Sequence, residues 1–246
     1  MQIPSIDLAS VESGWKLQNR HDSKYLVHTN LLHEALNQAT LEFAQLEIDG
    51  LRTFTYQTDY FDSADFDSYR QHHRGQRKRF KLRHRHYLDS DLHRLEVKMK
   101  LIRSQTKKLS LENHQNFDDA GLSFLRDSLF STYGESFVGK TSFDLRATAQ
   151  MHFKRQTLVN IKAQDRITID SDFLSTHQGK SLILKPDFCI VEIKSENLRS
   201  QFQQELLRFG VRSRPFSKYL VTIDALHMHK PGSLSAAELN KYFEIA

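Results

Sequence analysis

The sequence predicts an α+β fold in which antiparallel strands dominate and several helices accompany them. Many segments alternate charged and apolar residues, so that one face of each strand carries the charged side chains. These segments do not alternate regularly with helices, as the strands of a parallel α/β sheet would. The 246 residues include only nine glycines and four prolines, and no flexible linker marks a domain boundary. We therefore expect a single domain over residues 1–246, with its core at about residues 20–222.

The elements of the first half follow from the spacing of apolar residues. A strand is expected at 24–28, followed by a helix that Asn30 caps and that continues to Phe43. Aromatic residues alternate with polar ones over 52–60, which predicts a second strand. The pattern further predicts strands at 77–88 and 92–100, a short helix at about 65–72 and a longer helix at 118–132.

The second half is expected to contain a further group of strands and two helices. Ser195 is expected to cap a helix whose apolar stripe contains Phe202. Ser235 and Glu238 have the spacing of a capping box, which predicts a C-terminal helix at about 235–243. The alternating patterns predict strands at 148–160, 165–170, 181–184, 187–194 and 216–223.

The composition favours a protein with an anionic partner. The net charge is +5 and the pI is about 9.2. Cys189 is the only cysteine, which excludes an internal disulfide and a cysteine zinc site. The N-terminus lacks the pattern of a signal peptide, and no apolar run approaches the roughly 20 residues that span a bilayer. We therefore expect a soluble cytoplasmic protein without a membrane segment.

Basic residues recur at a spacing of two in one short stretch: Arg77, Arg79, Lys81, Arg83 and Arg85. In a strand, all of them would project from the same face. Such a row repels itself unless water solvates it or a polyanion lies against it, and guanidinium groups match phosphate oxygens well. The pattern therefore indicates either a phosphate-binding strand or a solvated basic edge strand.

Other strands repeat this arrangement with a carboxylate among the cations. Glu96 and Lys98 share one face, as do Glu192 and Lys194. An ordinary antiparallel sheet would turn these faces toward water. A closed barrel would turn them inward around a polar lumen suited to polyphosphate and a divalent cation. The alternation is the same in both arrangements and does not distinguish them.

Several short motifs in a fixed order resemble the polyphosphate-polymerase domain of the vacuolar transporter chaperone (VTC) family, in its short bacterial form. That family belongs to the triphosphate tunnel metalloenzymes. The matching segments are Arg20 to Tyr25, Tyr60 to Asp62, Arg79 to Tyr87, Leu95 to Lys98, Phe153 to Arg155, Arg166 to Asp170, Val191 to Lys194 and Phe216 to Tyr219. The resemblance implies a closed antiparallel β-barrel that forms a tunnel, with helices packed outside. It also implies that ATP, triphosphate or polyphosphate binds in the tunnel together with Mg²⁺ or Mn²⁺.

The resemblance also assigns roles to individual residues. The catalytic residues that it implies are Arg83, Arg85, Lys98, Arg155 and Arg166. The substrate-binding residues are Lys24, Lys81, Lys108, Lys194 and Lys218, and the metal ligands are Glu192 and Glu96. The chain has Phe153 where the family often has tyrosine. It also lacks the Glu-x-Glu-x-Lys signature of the adenylate cyclase and thiamine-triphosphatase branch, which favours the polymerase-like branch.

The resulting functional hypothesis is metal-dependent transfer of a phosphoryl group from ATP to a growing polyphosphate chain. A hydrolase of triphosphate or polyphosphate and a non-catalytic polyanion-binding protein are the alternatives. A nucleic-acid-binding protein is less favoured, because Glu96 and Glu192 on the charged faces would repel a phosphate backbone. His84 and His86 fall on the face opposite the arginines and are interpreted as outer-face packing, because no carboxylate at a fixed spacing completes a metal site.

Overall fold

The computed structural model describes residues 3–15, 21–39, 42–101, 105–163, 165–197, 200–228, 232 and 234–246. Its strands are β1 (Ser5–Ile6), β2 (His21–His28), β3 (Phe43–Leu46), β4 (Phe54–Ser63), β5 (Arg79–Tyr87), β6 (Leu92–Lys100), β7 (Thr106–Glu112), β8 (Leu145–Asn160), β9 (Arg166–His177), β10 (Lys180–Leu184), β11 (Phe188–Ser195) and β12 (Phe243–Ile245). Its α-helices are α1 (Leu8–Gly14), α2 (Thr29–Gln38), α3 (Asp67–His73), α4 (Asp119–Tyr133), α5 (Glu135–Val138), α6 (Gln201–Arg208), α7 (Lys218–Ile223) and α8 (Ala236–Tyr242). None of the described helices is long and apolar enough to cross a membrane.

The twelve strands belong to one sheet. Its main path runs β7-β6-β5-β4-β8-β9-β11-β2, and each neighbouring pair on this path is antiparallel. Within the described part of the chain, no ladder joins β2 to β7, so hydrogen bonds do not close the path into a ring. The predicted mixture of helices with a large antiparallel sheet is therefore confirmed, whereas the predicted closed barrel is not.

One side of this path carries the charged residues of the predicted strands, because directly paired residues of antiparallel strands project on the same side. The cross-strand pairs on this side are Lys24–Glu192, Arg155–Asp170, Arg83–Glu96, Lys81–Lys98 and Lys98–Lys108. We call this side the charged face. Strand β5, which holds the basic row, pairs with both β4 and β6, so its interpretation as a solvated edge strand is wrong. Arg77 precedes β5 and is exposed.

Helices cover the opposite side of the sheet. Leu82 of β5 and Val97 of β6 pack against Leu125 and Leu129 of α4. At the other end of the path, β2 and β11 pack against α2 and α6 through a second buried apolar cluster. The alternation of the strands is therefore explained by an apolar side under helices and a charged side facing away from them.

Helix α7 lies on the same side of the sheet as the charged face. Its residues Tyr219, Val221 and Ile223 are buried in a cluster with Met151 and Phe173 of the sheet. We call this cluster the apolar plug. The strand predicted over 216–223 is wrong, because residues 218–223 form α7. The β-branched and aromatic residues of this segment favour a strand locally, but packing against the curved sheet stabilises a helix.

Three other predictions in the helical regions are wrong. The helix predicted to reach Phe43 ends at Gln38, and Phe43 instead begins β3 and packs edge-on against Phe202. Its N-cap is His28 rather than Asn30. The cap of α6 is Ser200, which forms a capping box with Gln203, whereas Ser195 ends β11. Strand β7 was not predicted at all.

Several predicted elements agree with the structure. Strand β6 has the predicted bounds, and β4, β5, β8 and β11 differ from their predicted bounds by a few residues. Helix α4 differs by one residue at each end. Helix α8 begins after Ser235, whose hydroxyl and backbone form the predicted capping box with Glu238. Strong periodicity or a capping signal marks each of these elements, which explains the agreement.

We expect the Leu82→Ala variant to lose about 2–5 kcal/mol of unfolding free energy, because it opens a cavity between the sheet and α4. Leu82 is fully buried there. Urea unfolding followed by circular dichroism measures the change. Leu207→Ala is the matched control, since Leu207 is exposed on α6 and its loss should change stability by no more than about 0.5 kcal/mol. Equal stabilities of the two variants would contradict the assigned packing.

Candidate phosphate-binding site

Glu96 is held by three cations of the charged face. It is only 1% exposed, and one of its carboxylate oxygens accepts a 2.7 Å hydrogen bond from Arg83 Nε. Lys108 donates to the other oxygen, and Arg85 Nη1 lies 3.9 Å from Glu96 Oε2. Burial alone would raise the pKa of Glu96, but the three cations outweigh it and hold the pKa well below its usual range. Glu96 is therefore ionised and fixes the positions of these cations.

Asp170 organises a second group of cations in the same way. Its two oxygens accept hydrogen bonds of 2.6 and 2.8 Å from the Arg155 guanidinium, in a bidentate geometry. Lys218, the first residue of α7, donates to the same carboxylate. Burial opposes ionisation of Asp170, but Arg155 and Lys218 lower its pKa to about 2. The predicted substrate-binding residue Lys218 thus enters the site from a helix rather than from the predicted strand.

Three lysines repel one another in the site. Lys81 of β5 and Lys98 of β6 are paired neighbours, whereas Lys24 lies on β2 at the other end of the main path. Burial, followed by repulsion from Lys24 and Lys98, holds the pKa of Lys81 well below its usual value. Burial and Lys24 also lower the pKa of Lys98. The sheet therefore curves so that β2 approaches β5 and β6 across the charged face.

The segment 216–218 accepts hydrogen bonds from strands on both sides of this curved face. Lys24 Nζ donates a 3.1 Å hydrogen bond to the Phe216 carbonyl, and Lys81 Nζ donates a 2.8 Å hydrogen bond to Ser217 Oγ. Because β2 and β5 do not pair with each other, these contacts connect strands that the ladders leave separate.

Glu192 is more exposed than the other two carboxylates of the site. Its side chain is 20% exposed and forms an ion pair with Lys194 at 3.5 Å. Burial opposes its ionisation, but Lys194, Lys24 and Arg155 hold its pKa well below its usual range. An ionised carboxylate with accessible oxygens is the kind of ligand that Mg²⁺ or Mn²⁺ prefers. Glu192 thus fits a hard divalent cation better than Glu96, whose oxygens already accept from cations.

The remaining predicted residues lie at the margins of the site. Arg166 begins β9 and is paired in register with Lys194 of β11. Lys108, on the edge strand β7, is half-exposed and contacts Glu96. Arg20, the first residue of the matching segments, lies outside the described residues.

Sequence reasoning missed several residues that shape the site. Asp170 was quoted only as the end of the motif Arg166 to Asp170, although its spacing of four from Arg166 already placed it on the same face of the strand. Tyr60 Oη accepts a 3.1 Å hydrogen bond from Arg83, and this contact follows from the β4–β5 register, which the sequence does not reveal. Ser217 was quoted only as part of a motif, and its hydrogen bond with Lys81 depends on the tertiary fold.

Comparison with protein-family models gives a match to the VTC domain over residues 19–227. The chain belongs to the VTC domain family. The resemblance seen in the sequence motifs is therefore confirmed, and the match includes every predicted site residue. A search of curated proteins found no significant match.

Solved structures resemble this VTC domain at low sequence identity. A proposed adenylate cyclase from Bacillus halodurans is 13% identical, with 85% of this chain and 99% of that chain covered and a TM-score of 0.50. The PH1819 protein of Pyrococcus horikoshii is 12% identical, with 83% and 99% covered and a TM-score of 0.47. HpAC1 of Hippeastrum, described as a proposed adenylyl cyclase with a dominant triphosphatase activity, is 13% identical, with 83% and 95% covered and a TM-score of 0.46. The first likeness supports the fold of this VTC domain and nothing beyond it.

We expect the Glu96→Gln variant to lose about 3–5 kcal/mol of unfolding free energy, because it leaves Arg83 and Arg85 without their buried counter-charge. The variant should also have a lower Tm, and inorganic triphosphate should reverse part of that decrease, since an anion that binds only the folded state stabilises it. Thermal unfolding with and without triphosphate measures both effects. Glu34→Gln, at an exposed position of α2, is the control and should change neither quantity. A Glu96→Gln variant as stable as the native VTC domain would contradict this role.

We also expect the affinity for inorganic triphosphate to fall as the pH rises from 7 to 9. Burial lowers the pKa of Lys218 to about 8, so this amine loses its positive charge within that interval. Lys218→Arg keeps its charge throughout, because the guanidinium remains protonated. Isothermal titration calorimetry on both proteins separates the contribution of Lys218 from the ionisation of triphosphate itself. The same pH dependence in both would show that Lys218 does not titrate in the site.

Proposed function

We propose that this VTC domain binds the phosphates of ATP and polyphosphate along the charged face and transfers the γ-phosphoryl group of ATP to the polyphosphate chain. The observation that supports this proposal best is the excess of cations over carboxylates on one curved face, where Arg85 is buried and most of the other cations are half-buried. These cations come from β2, β5, β6, β8, β11 and α7. Such an excess of positive charge is stabilised when a polyanion lies against it.

The proposed reaction needs little covalent chemistry from the protein. A terminal phosphate oxygen of the acceptor chain attacks the γ-phosphorus of ATP, and the bond from that phosphorus to the β–γ bridging oxygen breaks to release ADP. Arg83, Arg85 and Arg155 would hold the non-bridging oxygens, and their anchoring to Glu96 and Asp170 keeps them in place before substrate arrives. Catalysis would thus rest on positioning and charge neutralisation.

We assign the divalent cation to Glu192. Mg²⁺ or Mn²⁺ bound there would neutralise charge on the phosphate oxygens, with water and substrate completing its coordination. Glu96, which the sequence analysis proposed as a second ligand, is better suited to positioning Arg83 and Lys108, because these cations already contact both its oxygens.

A triphosphate or polyphosphate hydrolase is the second candidate. The apolar plug occupies part of the same side of the sheet as the charged face. A growing polymer needs a route out of the site, and an apolar cluster on the same side of the sheet restricts that route. If water replaces the acceptor phosphate, the same cations support hydrolysis of the terminal anhydride.

The experiment that separates these functions is incubation of the purified protein with γ-labelled ATP and Mg²⁺ or Mn²⁺, with the products resolved on a gel. A ladder of long polyphosphate supports the polymerase, and labelled free phosphate without a ladder supports the hydrolase. Glu192→Gln should reduce turnover by about 10²–10³-fold in either case, because it removes charge that holds the metal. Glu34→Gln is the control and should leave turnover unchanged.

A non-catalytic binding protein gives a different result in the same experiment. The native protein would show no turnover with either metal, and Glu192→Gln would bind triphosphate as tightly as the native protein or more tightly, because a repelling carboxylate is removed. Calorimetry with inorganic triphosphate in the absence of metal measures this affinity. Turnover that persists undiminished in Glu192→Gln would contradict the assignment of the metal to this residue.

A further inference from the structure

A cluster of histidines and carboxylates lies on the side of the β5–β6 hairpin that faces away from the charged face. His86 of β5 and His93 of β6 are directly paired across the hairpin, and their rings stack with centroids 3.9 Å apart. Asp91 lies in the connecting turn. Its Oδ1 is 2.8 Å from His86 Nε2 and 3.3 Å from His93 Nε2.

This arrangement brings three ligand atoms to one accessible point. The two imidazole nitrogens and the carboxylate oxygen all lie within 4.8 Å of one another. The Asp91 side chain is 81% exposed, whereas those of His86 and His93 are 21% and 14% exposed. The site therefore has an open side toward solvent and a charged ligand at its rim.

A second layer of polar groups supports the histidines. The other ring nitrogen of His93, Nδ1, lies 3.1 Å from Nε2 of His84. His84 Nδ1 lies 3.7 Å from a carboxylate oxygen of Asp59 on β4. Histidines that bind metals commonly use their second nitrogen in this way, and the outer groups fix the ring orientation and tautomer.

We propose that His86, His93 and Asp91 form a binding site for one borderline divalent transition metal such as Zn²⁺. Two imidazoles and one carboxylate are typical protein ligands of zinc, and water or an external group would complete the tetrahedron. The sequence analysis rejected a histidine metal site here because it saw no carboxylate partner. The hairpin supplies that partner from its turn, and it supplies a second histidine from β6.

This metal site is distinct from the one assigned to Glu192. Its ligands are mainly nitrogen atoms, which suit Zn²⁺, Co²⁺ and Ni²⁺ rather than Mg²⁺. It also lies on the opposite side of β5 from Arg83 and Arg85, because residues one apart in a strand project from opposite faces. A metal here would cross-link the two strands that carry Arg83 and Glu96. It would stabilise the folded state more strongly the more tightly it binds.

Cobalt titration of the full, metal-depleted chain tests the proposal. With Mg²⁺ in excess to occupy oxygen-rich sites, we expect one Co²⁺ to bind with the intense visible absorption of tetrahedral coordination, and Zn²⁺ to displace it. Asp91→Asn preserves the shape of the turn residue and should weaken binding at least tenfold. The double variant His86→Ala/His93→Ala should abolish it. His33→Ala, at an exposed position of α2, is the matched control and should bind cobalt as the native chain does.

A second variant tests the supporting layer. Asp59→Asn should weaken cobalt binding by about 10–100-fold without changing the stoichiometry, because it loosens the orientation of His84 and hence of His93. The proposal is overturned if no cobalt binds at micromolar concentration, or if binding is unchanged in both Asp91→Asn and the double histidine variant. Circular dichroism of each variant establishes that it is folded before the titration.

Discussion

Burying cations of like charge side by side costs free energy twice, once through desolvation and once through repulsion. The charged face of this VTC domain carries both costs at Lys81 and Lys98, because desolvation and repulsion from each other and from Lys24 depress the pKa values of these two lysines. Glu96 and Asp170 offset part of the cost and hold the arginines in fixed positions. The surrounding architecture, with apolar clusters beneath α4 and beneath α2 and α6, supplies the packing that keeps these groups together.

The three carboxylates of the site have different consequences for an anion that arrives there. Glu96 and Asp170 are saturated by cations, so a phosphate group would compete with them for the same donors. Glu192 is more accessible and lies 3.5 Å from Lys194, so its carboxylate repels phosphate unless a metal lies between them. This difference would make phosphate binding depend on a metal at Glu192. It also explains why Glu96 and Asp170 can share a face with the cations and still leave that face positively charged.

Much of the fold was predictable from the sequence, because alternation over β5, β6 and β11 assigns each side chain to a face. Alternation does not reveal which face the helices cover, and only the packing of α4, α2 and α6 on the apolar side decides that question. Helix α7 was unpredictable because its conformation depends on burial inside the sheet rather than on local preference. In the candidate site, the family motifs identified the cations, whereas the role of Asp170 and the contact of Ser217 with Lys81 required the tertiary structure. The carboxylate of Asp91 escaped notice because its partners lie on two different strands.

The β5–β6 hairpin carries arginines on one side and histidines on the other, and this has a consequence for how its sequence can change. A slip of one residue in the pairing, or one inserted or deleted residue within β5, would exchange the two sides. Histidines would then project among the lysines of the charged face, and arginines would project toward the helix-covered core. A change in length within either strand therefore displaces many side chains at once, whereas a residue added in the turn at 88–91 leaves both faces in register.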